Sequence, residues 1–245
     1  MQKTLANNDT FCLPADYQVN AAVRPSDRES EYWTERRIAT SALYQHQVYC
    51  LARSLAERRQ CSAVLDVGCG VGTKLNQHFD SAFSLVGIDQ ADAIEHCARL
   101  YPDHRWLTDD LDEPNLCTAD LGVDIDLMIC ADVIEHLGSP EVLLRHLLKL
   151  SSPQTLLILS TPDRDRLVGR QAKHPSIPEH LREWNIREFR EFVELSGWRV
   201  LNQRIVFPFR MRPDRFTLRY FASRLSRGKA LRTCQVAVCS PGEVS

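Results

Sequence analysis

The run Asp66-Val67-Gly68-Cys69-Gly70-Val71-Gly72 places three glycines at alternate positions directly after an apolar stretch. Glycine there allows a tight turn and lets a ligand approach the backbone closely. Asp89 closes the next apolar stretch, about twenty residues on, where a carboxylate can accept both hydroxyls of a ribose. Together these residues point to a nucleoside-bearing cofactor. The alternative is a plain strand-to-helix turn with a surface aspartate. The spacing is GxGxG rather than GxGxxG, which disfavours a nicotinamide cofactor and an oxidoreductase.

Two histidines could move a proton at neutral pH. His136 ends Asp132-Val133-Ile134-Glu135-His136, just after another apolar run. His180 lies in Pro178-Glu179-His180-Leu181-Arg182-Glu183-Trp184. Each also has a purely structural alternative, a bond to a loop carbonyl or to Glu135 for His136 and a packed surface connection for the segment of His180. Asp132, Glu135 and His136 together could hold a metal, but their short spacing supplies no clear further ligand, so no metal is expected.

These residues need elements to position them. Ala63-Val64-Leu65-Asp66-Val67 reads as a buried strand feeding the glycines. Further strands are expected over residues 83–89, 104–107, 125–130 and 154–160, with helices from 73, over 91–100 and from Pro140. Ser139, Pro140 and Glu141 mark that last helix start by cap, proline and dipole. Asn185 and Glu188 form a capping-box pattern for another helix, which Gly197 ends. Residues 198–207 and 233–240 are β-rich and read as a final strand pair. Residues 31–57 show helical apolar spacing through Ile38, Leu43, Tyr44, Val48, Leu51 and Leu55. The alternation predicts an α/β, doubly wound, mostly parallel sheet with helices on both faces. In such sheets ligands bind beyond the carboxyl ends of the strands, where the glycines and Asp89 fall.

Residues 64–72 resemble the first motif of class I S-adenosylmethionine-dependent methyltransferases. Gly87-Ile88-Asp89 resembles their second motif, and Leu107-Thr108-Asp109-Asp110-Leu111 their third. Residues 126–137 are similar to the fourth motif of the branch that includes ubiquinone-biosynthesis O-methyltransferases. The segment Ser160-Thr161-Pro162-Asp163-Arg164, followed by residues 178–184, resembles methyltransferases associated with glycosyltransferases. The resemblance implies a seven-stranded Rossmann-like fold and S-adenosyl-L-methionine as cofactor. It implies that Asp66, Gly68 and Gly70 form the cofactor loop against the methionine part. Asp89, followed by Gln90, would hold the ribose. Asp109 or Asp110 would bond the adenine amine beside the Leu111 backbone amide, and Ala131 would lie near the sulfonium. Arg36 or Arg37 could reach the cofactor carboxylate. His136 and His180 are the candidate bases for O-methylation of a sugar, glycan or other small polar metabolite. A non-catalytic binding module of the same fold is the competing expectation.

Length and composition agree with this reading. The chain has 245 residues, a formal net charge of −2 and no apolar run long enough to span a bilayer. A near-neutral chain gives no general reason to expect nucleic acid. Its nine cysteines lack zinc-like or CxxC spacing and suggest reduced thiols in a cytoplasmic protein. The start of the chain lacks a signal-peptide core, which fits the same expectation. We expect an N-terminal arm and helical segment over 1–58 and a methyltransferase domain over 59–245. Within it, prolines at 162, 175 and 178 suggest a loop over 162–184 that covers the acceptor. Residues 208–232 carry eight basic residues against one acid, interleaved with aromatic and aliphatic side chains. That insertion suits packing on the core, an acidic acceptor, or an anionic membrane surface.

Overall fold

The computed structural model describes residues 8–22, 38 and 40–242. Seven strands form a single sheet in the order β3-β2-β1-β4-β5-β7-β6. They are β1 (Ala63–Val67), β2 (Ser84–Asp89), β3 (Arg105–Thr108), β4 (Leu127–Ala131), β5 (Leu156–Pro162), β6 (Trp198–Val206) and β7 (Cys234–Pro241). The first five pair in parallel, while β7 runs antiparallel to both β5 and β6. The expected final strand pair thus forms, with β7 inserted between β5 and β6. Strand order reverses between β1 and β4, and the crevice at their carboxyl ends is where this topology places a ligand.

The helices are α1 (His46–Arg59), α2 (Thr73–His78), α3 (Ala91–Leu100), α4 (Thr118–Leu121), α5 (Pro140–Leu150), α6 (Arg164–Leu167), α7 (Ile186–Leu195) and α8 (Arg215–Ser226). Each face of the sheet has its own core. Tyr49, Ala52, Leu75 and Phe79 cover Val64, Ile129 and Ile158 on one side. Leu143, Leu147, Phe189 and Phe192 cover Leu65, Met128 and Leu159 on the other. β1, β4 and nearly all of β5 are buried, as continuous apolar runs require when both faces are covered.

The local signals act as follows. The Asn185 side chain accepts from Arg187 N and Glu188 N, and Glu188 bonds back to Asn185 N, completing the capping box of α7. Pro140 opens α5, but Ser139 makes no side-chain cap; its amide donates to Asp112 Oδ1 at 2.9 Å. Ile38, Thr40 and Ser41 are helical, as the apolar spacing of 31–57 suggests, but the helix breaks over 42–45 and resumes at His46. Tyr44 is held instead in a β-bridge with Phe209, and Gln45 takes a left-handed φ of 55°, which interrupts the helix. Residues 23–37, including Arg36 and Arg37, lie outside the described residues. The division expected at residue 58 falls at the end of α1, whose Tyr49 and Ala52 pack on the sheet.

Trp106 sets a tight limit next to the glycines. A Cβ on Gly87 would lie 2.3 Å from its ring, and one on Gly72 would lie 2.7 Å away. The ring is anchored, because Trp106 Nε1 donates to Tyr101 O at 2.8 Å. Gly87→Ala is therefore expected to destabilise the chain by about 1–3 kcal/mol through overpacking. Urea unfolding checks this; an unchanged midpoint would mean that the indole moves aside at no cost.

Candidate active site

The glycine loop leaves β1 with left-handed backbone at Gly68, Gly70 and Gly72. A Cβ at Gly68 would meet Val133 Cγ2 at 2.4 Å, so the loop closes against the turn after β4 only because that side chain is missing. Asp89, at the end of β2, faces this loop. Its Oδ2 accepts from Gly70 N and its Oδ1 from Gln90 N, both at 2.7 Å. The carboxylate and the glycine amides thus share the crevice mouth, with the end of β4 beside them. A side-chain-free cradle next to an oriented carboxylate suits the methionine and ribose parts of S-adenosylmethionine.

The remaining cofactor candidates sit around the same edge. Asp109 follows β3 and is buried. Its oxygens accept from the amides of Asp110, Asn115 and Leu116, so it braces the loop that carries Asp110 and Leu111. Asp110 is exposed, and its Oδ1 accepts from Asp112 N. Ala131 ends β4, and Gln90 is exposed at the start of α3. Asp66 behaves differently from an exposed loop acid. It is fully buried, and both oxygens accept from the Tyr49 hydroxyl, at 2.8 and 3.1 Å. Burial pushes its carboxyl up to about 6, while Lys74 and the Tyr49 bond pull the other way. Its contribution to the loop is therefore positional.

Beyond β4 the backbone turns sharply at Asp132, which has a φ of 55°. Asp132 points away from Glu135: it accepts from Gln45 Nε2 at 2.7 Å and from Ser160 Oγ at 3.0 Å. Lys74 in turn donates to Gln45 Oε1. Sequence spacing missed Gln45, Tyr49 and Lys74, because they reach the crevice only through the packing of α1 and α2.

The two histidines meet. Their rings lie 4.7 Å apart, edge to face. His136 Nδ1 is bonded to the carbonyl of Glu179 at 2.9 Å, so that nitrogen carries the proton and Nε2 is the accepting one. His180 Nδ1 lies 2.9 Å from Glu183 Oε1 in a fully buried pairing. Glu183 also accepts from Ser176 Oγ and Ile177 N, which locks its orientation. The i, i+3 spacing of His180 and Glu183 was visible in the sequence and could have flagged the pair. Glu135 completes the group: its carboxylate and the two imidazoles offer donor atoms all within 4.8 Å of one another. The further ligand that spacing alone did not supply arrives as His180, brought from the distant segment. Glu135 is fully buried, and neither oxygen has a hydrogen-bond partner among the described residues. Burial, reinforced by Asp132, raises its carboxyl well above the usual range, and Thr161 opposes this from outside hydrogen-bond geometry.

The segment 162–184 holds this group in place. It opens with the single turn of α6, capped by Asp163, and continues as loop. Its far end is not a surface flap, because His180 to Trp184 are all buried. Leu181 N donates to Glu135 O, and Arg182 donates to the carbonyls of Leu137 and Gly138. Trp184 Nε1 donates to Phe11 O, and Glu183 N to the Tyr17 hydroxyl. The described part of the N-terminal arm therefore buttresses the histidine pair from behind.

The basic insertion forms α8 between β6 and β7, with Asp214 capping it at Thr217 N. Phe209 packs against Phe216 and Tyr220, but Leu218 and Leu225 stay exposed. Between its end and α6 lies a cavity of about 500 Å³, lined in part by Arg166, Arg170, Arg227 and Lys229. It opens past the carboxyl ends of β5 and β6, on the same edge of the sheet as the histidines.

Known proteins resemble this chain in sequence and in fold. The profile of a family described as "Methyltransferase domain" matches residues 42–203. A "Probable S-adenosylmethionine-dependent methyltransferase" of Mycolicibacterium smegmatis is 29% identical over 179 residues, covering 72% of this chain and 63% of that protein. A ubiquinone biosynthesis O-methyltransferase of Bradyrhizobium diazoefficiens is 25% identical over 128 residues, covering 50% and 51%. The chain thus spans less than two thirds of the length of these relatives. In structure it is similar to an S-adenosylmethionine-dependent methyltransferase of Clostridium acetobutylicum, with a TM-score of 0.59 at 9% identity over 85% of this chain and 96% of that one.

Proposed function

The chain belongs to the methyltransferase-domain family of S-adenosylmethionine-dependent enzymes, and from that premise we propose that it O-methylates a hydroxyl of a small polar acceptor such as a sugar or glycan. The observation that carries the proposal is the buried Glu183–His180 pair set against His136 at the end of β4. When bound, S-adenosylmethionine supplies an electrophilic methyl group on a sulfonium. Gly68 and Gly70 would receive its methionine part, Asp89 its ribose, and Asp110 with the Leu111 amide its adenine. Ala131 would border the methyl position.

A hydroxyl must lose its proton to attack efficiently. Glu183 holds the Nδ1–H of His180, so Nε2 takes that proton, and the buried carboxylate stabilises the imidazolium that forms. His136 is oriented in the same sense by the Glu179 carbonyl and lines the proton's path. His180→Ala should lower turnover by about 10²–10⁴-fold while leaving S-adenosylhomocysteine affinity within about twofold. Glu183→Gln should cut turnover less. S-adenosylhomocysteine release against a metabolite panel measures both. Full activity in His180→Ala would remove it from the chemistry. If the wild-type protein binds the cofactor and turns over no acceptor, the chain is a binding module of this fold.

One observation favours a second reading of the same group. Two oriented imidazoles and an unpartnered buried carboxylate also suit a divalent cation, which would lower the acceptor's hydroxyl pKa in place of a base. Loss of turnover on chelation, restored by added metal, selects this reading; indifference to chelators selects direct proton transfer.

The cationic cavity favours an acidic acceptor. Asp163 and Asp165 share its wall, but the first caps α6 and the second lies beside Arg164. Arg227→Glu should raise KM for a phosphate- or carboxylate-bearing acceptor about tenfold, a loss of order 1.4 kcal/mol, and leave kcat nearly unchanged. An equal KM would dissociate the cavity from the acceptor. No described helix is long and apolar enough to cross a membrane, and all nine cysteines are unpaired, which supports a cytoplasmic location.

A further inference from the structure

We propose that His46, Cys50 and His78 form a binding site for a borderline-soft divalent cation, zinc by donor type, which joins α1 to α2 outside the cofactor crevice. His46 and Cys50 are four residues apart on α1, so both side chains lie on one face of that helix. His78 is the last residue of α2 and comes alongside. Its Nε2 is 2.9 Å from His46 Nδ1, and Cys50 Sγ is 3.9 Å from that same nitrogen. The three ligand atoms all lie within 4.8 Å of one another. In a tetrahedral zinc centre, neighbouring donors stand about 3.3 Å apart for two nitrogens and about 3.6 Å for nitrogen and sulfur. The two separations from His46 Nδ1 lie within a few tenths of an ångström of those values, and the Cys50–His78 separation stays within 4.8 Å.

The donors are already aimed. His78 Nδ1 is bonded to the Lys74 carbonyl at 2.9 Å, so it carries the proton, and the Nε2 lone pair faces His46. In the metal-free chain His46 Nδ1 therefore donates its proton to His78 Nε2. Metal binding moves that proton to His46 Nε2, forms two metal–nitrogen bonds, and expels the Cys50 thiol proton as the metal–sulfur bond forms. One proton leaves per metal bound. The cations Arg210, Arg212 and Lys74 lie near the two imidazoles. The same cations oppose a second positive charge, and the thiolate offsets part of it. With no carboxylate in the set, magnesium and calcium are poor fits. Cys50 is exposed, which leaves solvent access for a fourth ligand.

The site would act on the crevice through its two helices. α1 carries Tyr49, which holds Asp66, and α2 continues directly from the glycine loop. Clamping them would stiffen the loop. This inference rests on neither the proposed reaction nor the Glu135 group, which has no sulfur.

Cobalt titration of the reduced full-length chain tests it. One equivalent should produce a thiolate-to-cobalt charge-transfer absorption, which zinc then abolishes. Cys50→Ser, at an exposed position, should keep its circular dichroism and lose the absorption, and His78→Ala should weaken it. Zinc should also slow alkylation of Cys50 in the wild-type chain, read by peptide mapping. Absence of the absorption, or its persistence in Cys50→Ser, overturns the proposal. Unchanged alkylation of Cys50 at saturating zinc also overturns it.

Discussion

Asp89→Ala is expected to weaken binding of S-adenosylmethionine and S-adenosylhomocysteine by roughly 30- to 1,000-fold. Hydrogen bonds to a charged group contribute about 1.5–3 kcal/mol each when one partner is removed, and a ribose offers two hydroxyls. The substitution acts twice. It removes the proposed ribose acceptor, and it takes away the partner of Gly70 N and Gln90 N, both held at 2.7 Å. The glycine loop then loses the group that fixes its amides. Asp89→Asn keeps the shape and one carbonyl acceptor, so its loss should be smaller. Calorimetric titration of the folded variants decides the matter. Affinity within threefold of the wild type would falsify the ribose assignment, and with it the placement of the cofactor over this strand end.

The second large effect concerns the scaffold behind the histidines. Glu188→Ala should cost about 3–5 kcal/mol of unfolding free energy, because it strips a buried guanidinium of its two-point carboxylate and leaves only Asp165 Oδ1, 3.6 Å away. Arg164 is 2% exposed and meets Glu188 through two bonds of 2.7 Å each. Arg164 also donates to the Glu183 carbonyl at 3.1 Å, so the pair links α7 to the residue that orients His180. The variant should therefore lose activity at temperatures where it remains folded. Arg164→Met with Glu188→Leu should recover much of the stability, since apolar replacement of a buried pair is often near neutral. Urea unfolding measures both. A cost below about 1 kcal/mol for Glu188→Ala, against the 3–5 expected, would show that water or backbone relaxation satisfies Arg164.

How much of this was legible before folding depended on the range of each interaction. The strand expected at 63–67 is β1 residue for residue, because a buried parallel strand is a continuous apolar run bounded by glycine. The capping box at Asn185 and Glu188 formed as read, because all its atoms lie within one turn. The helical spacing over 31–57 holds at Ile38, Thr40 and Ser41 and again from His46, but fails over 42–45 for the converse reason. Apolar periodicity from Ile38 to Tyr44 carried no sign that Tyr44 would pair with Phe209, a partner 165 residues away in the chain. That contact and the left-handed Gln45 override the local preference.

The candidate site divides along the same line. By itself the sequence determined the sheet, the glycine loop, the acid that ends β2 and the two candidate histidines. Each of these is encoded in residues near one another, through backbone freedom, burial pattern or side-chain chemistry. Only the tertiary structure decided which of them act together. His180 reaches His136 and Glu135 because Leu181 N bonds the Glu135 carbonyl and Arg182 ties down the loop that follows. Asp132 turns toward Gln45 and Ser160 rather than toward Glu135. Asp66 is withdrawn under Tyr49. Spacing could not announce these pairings, because a buried polar group takes whichever partner the packed chain brings within about 3 Å.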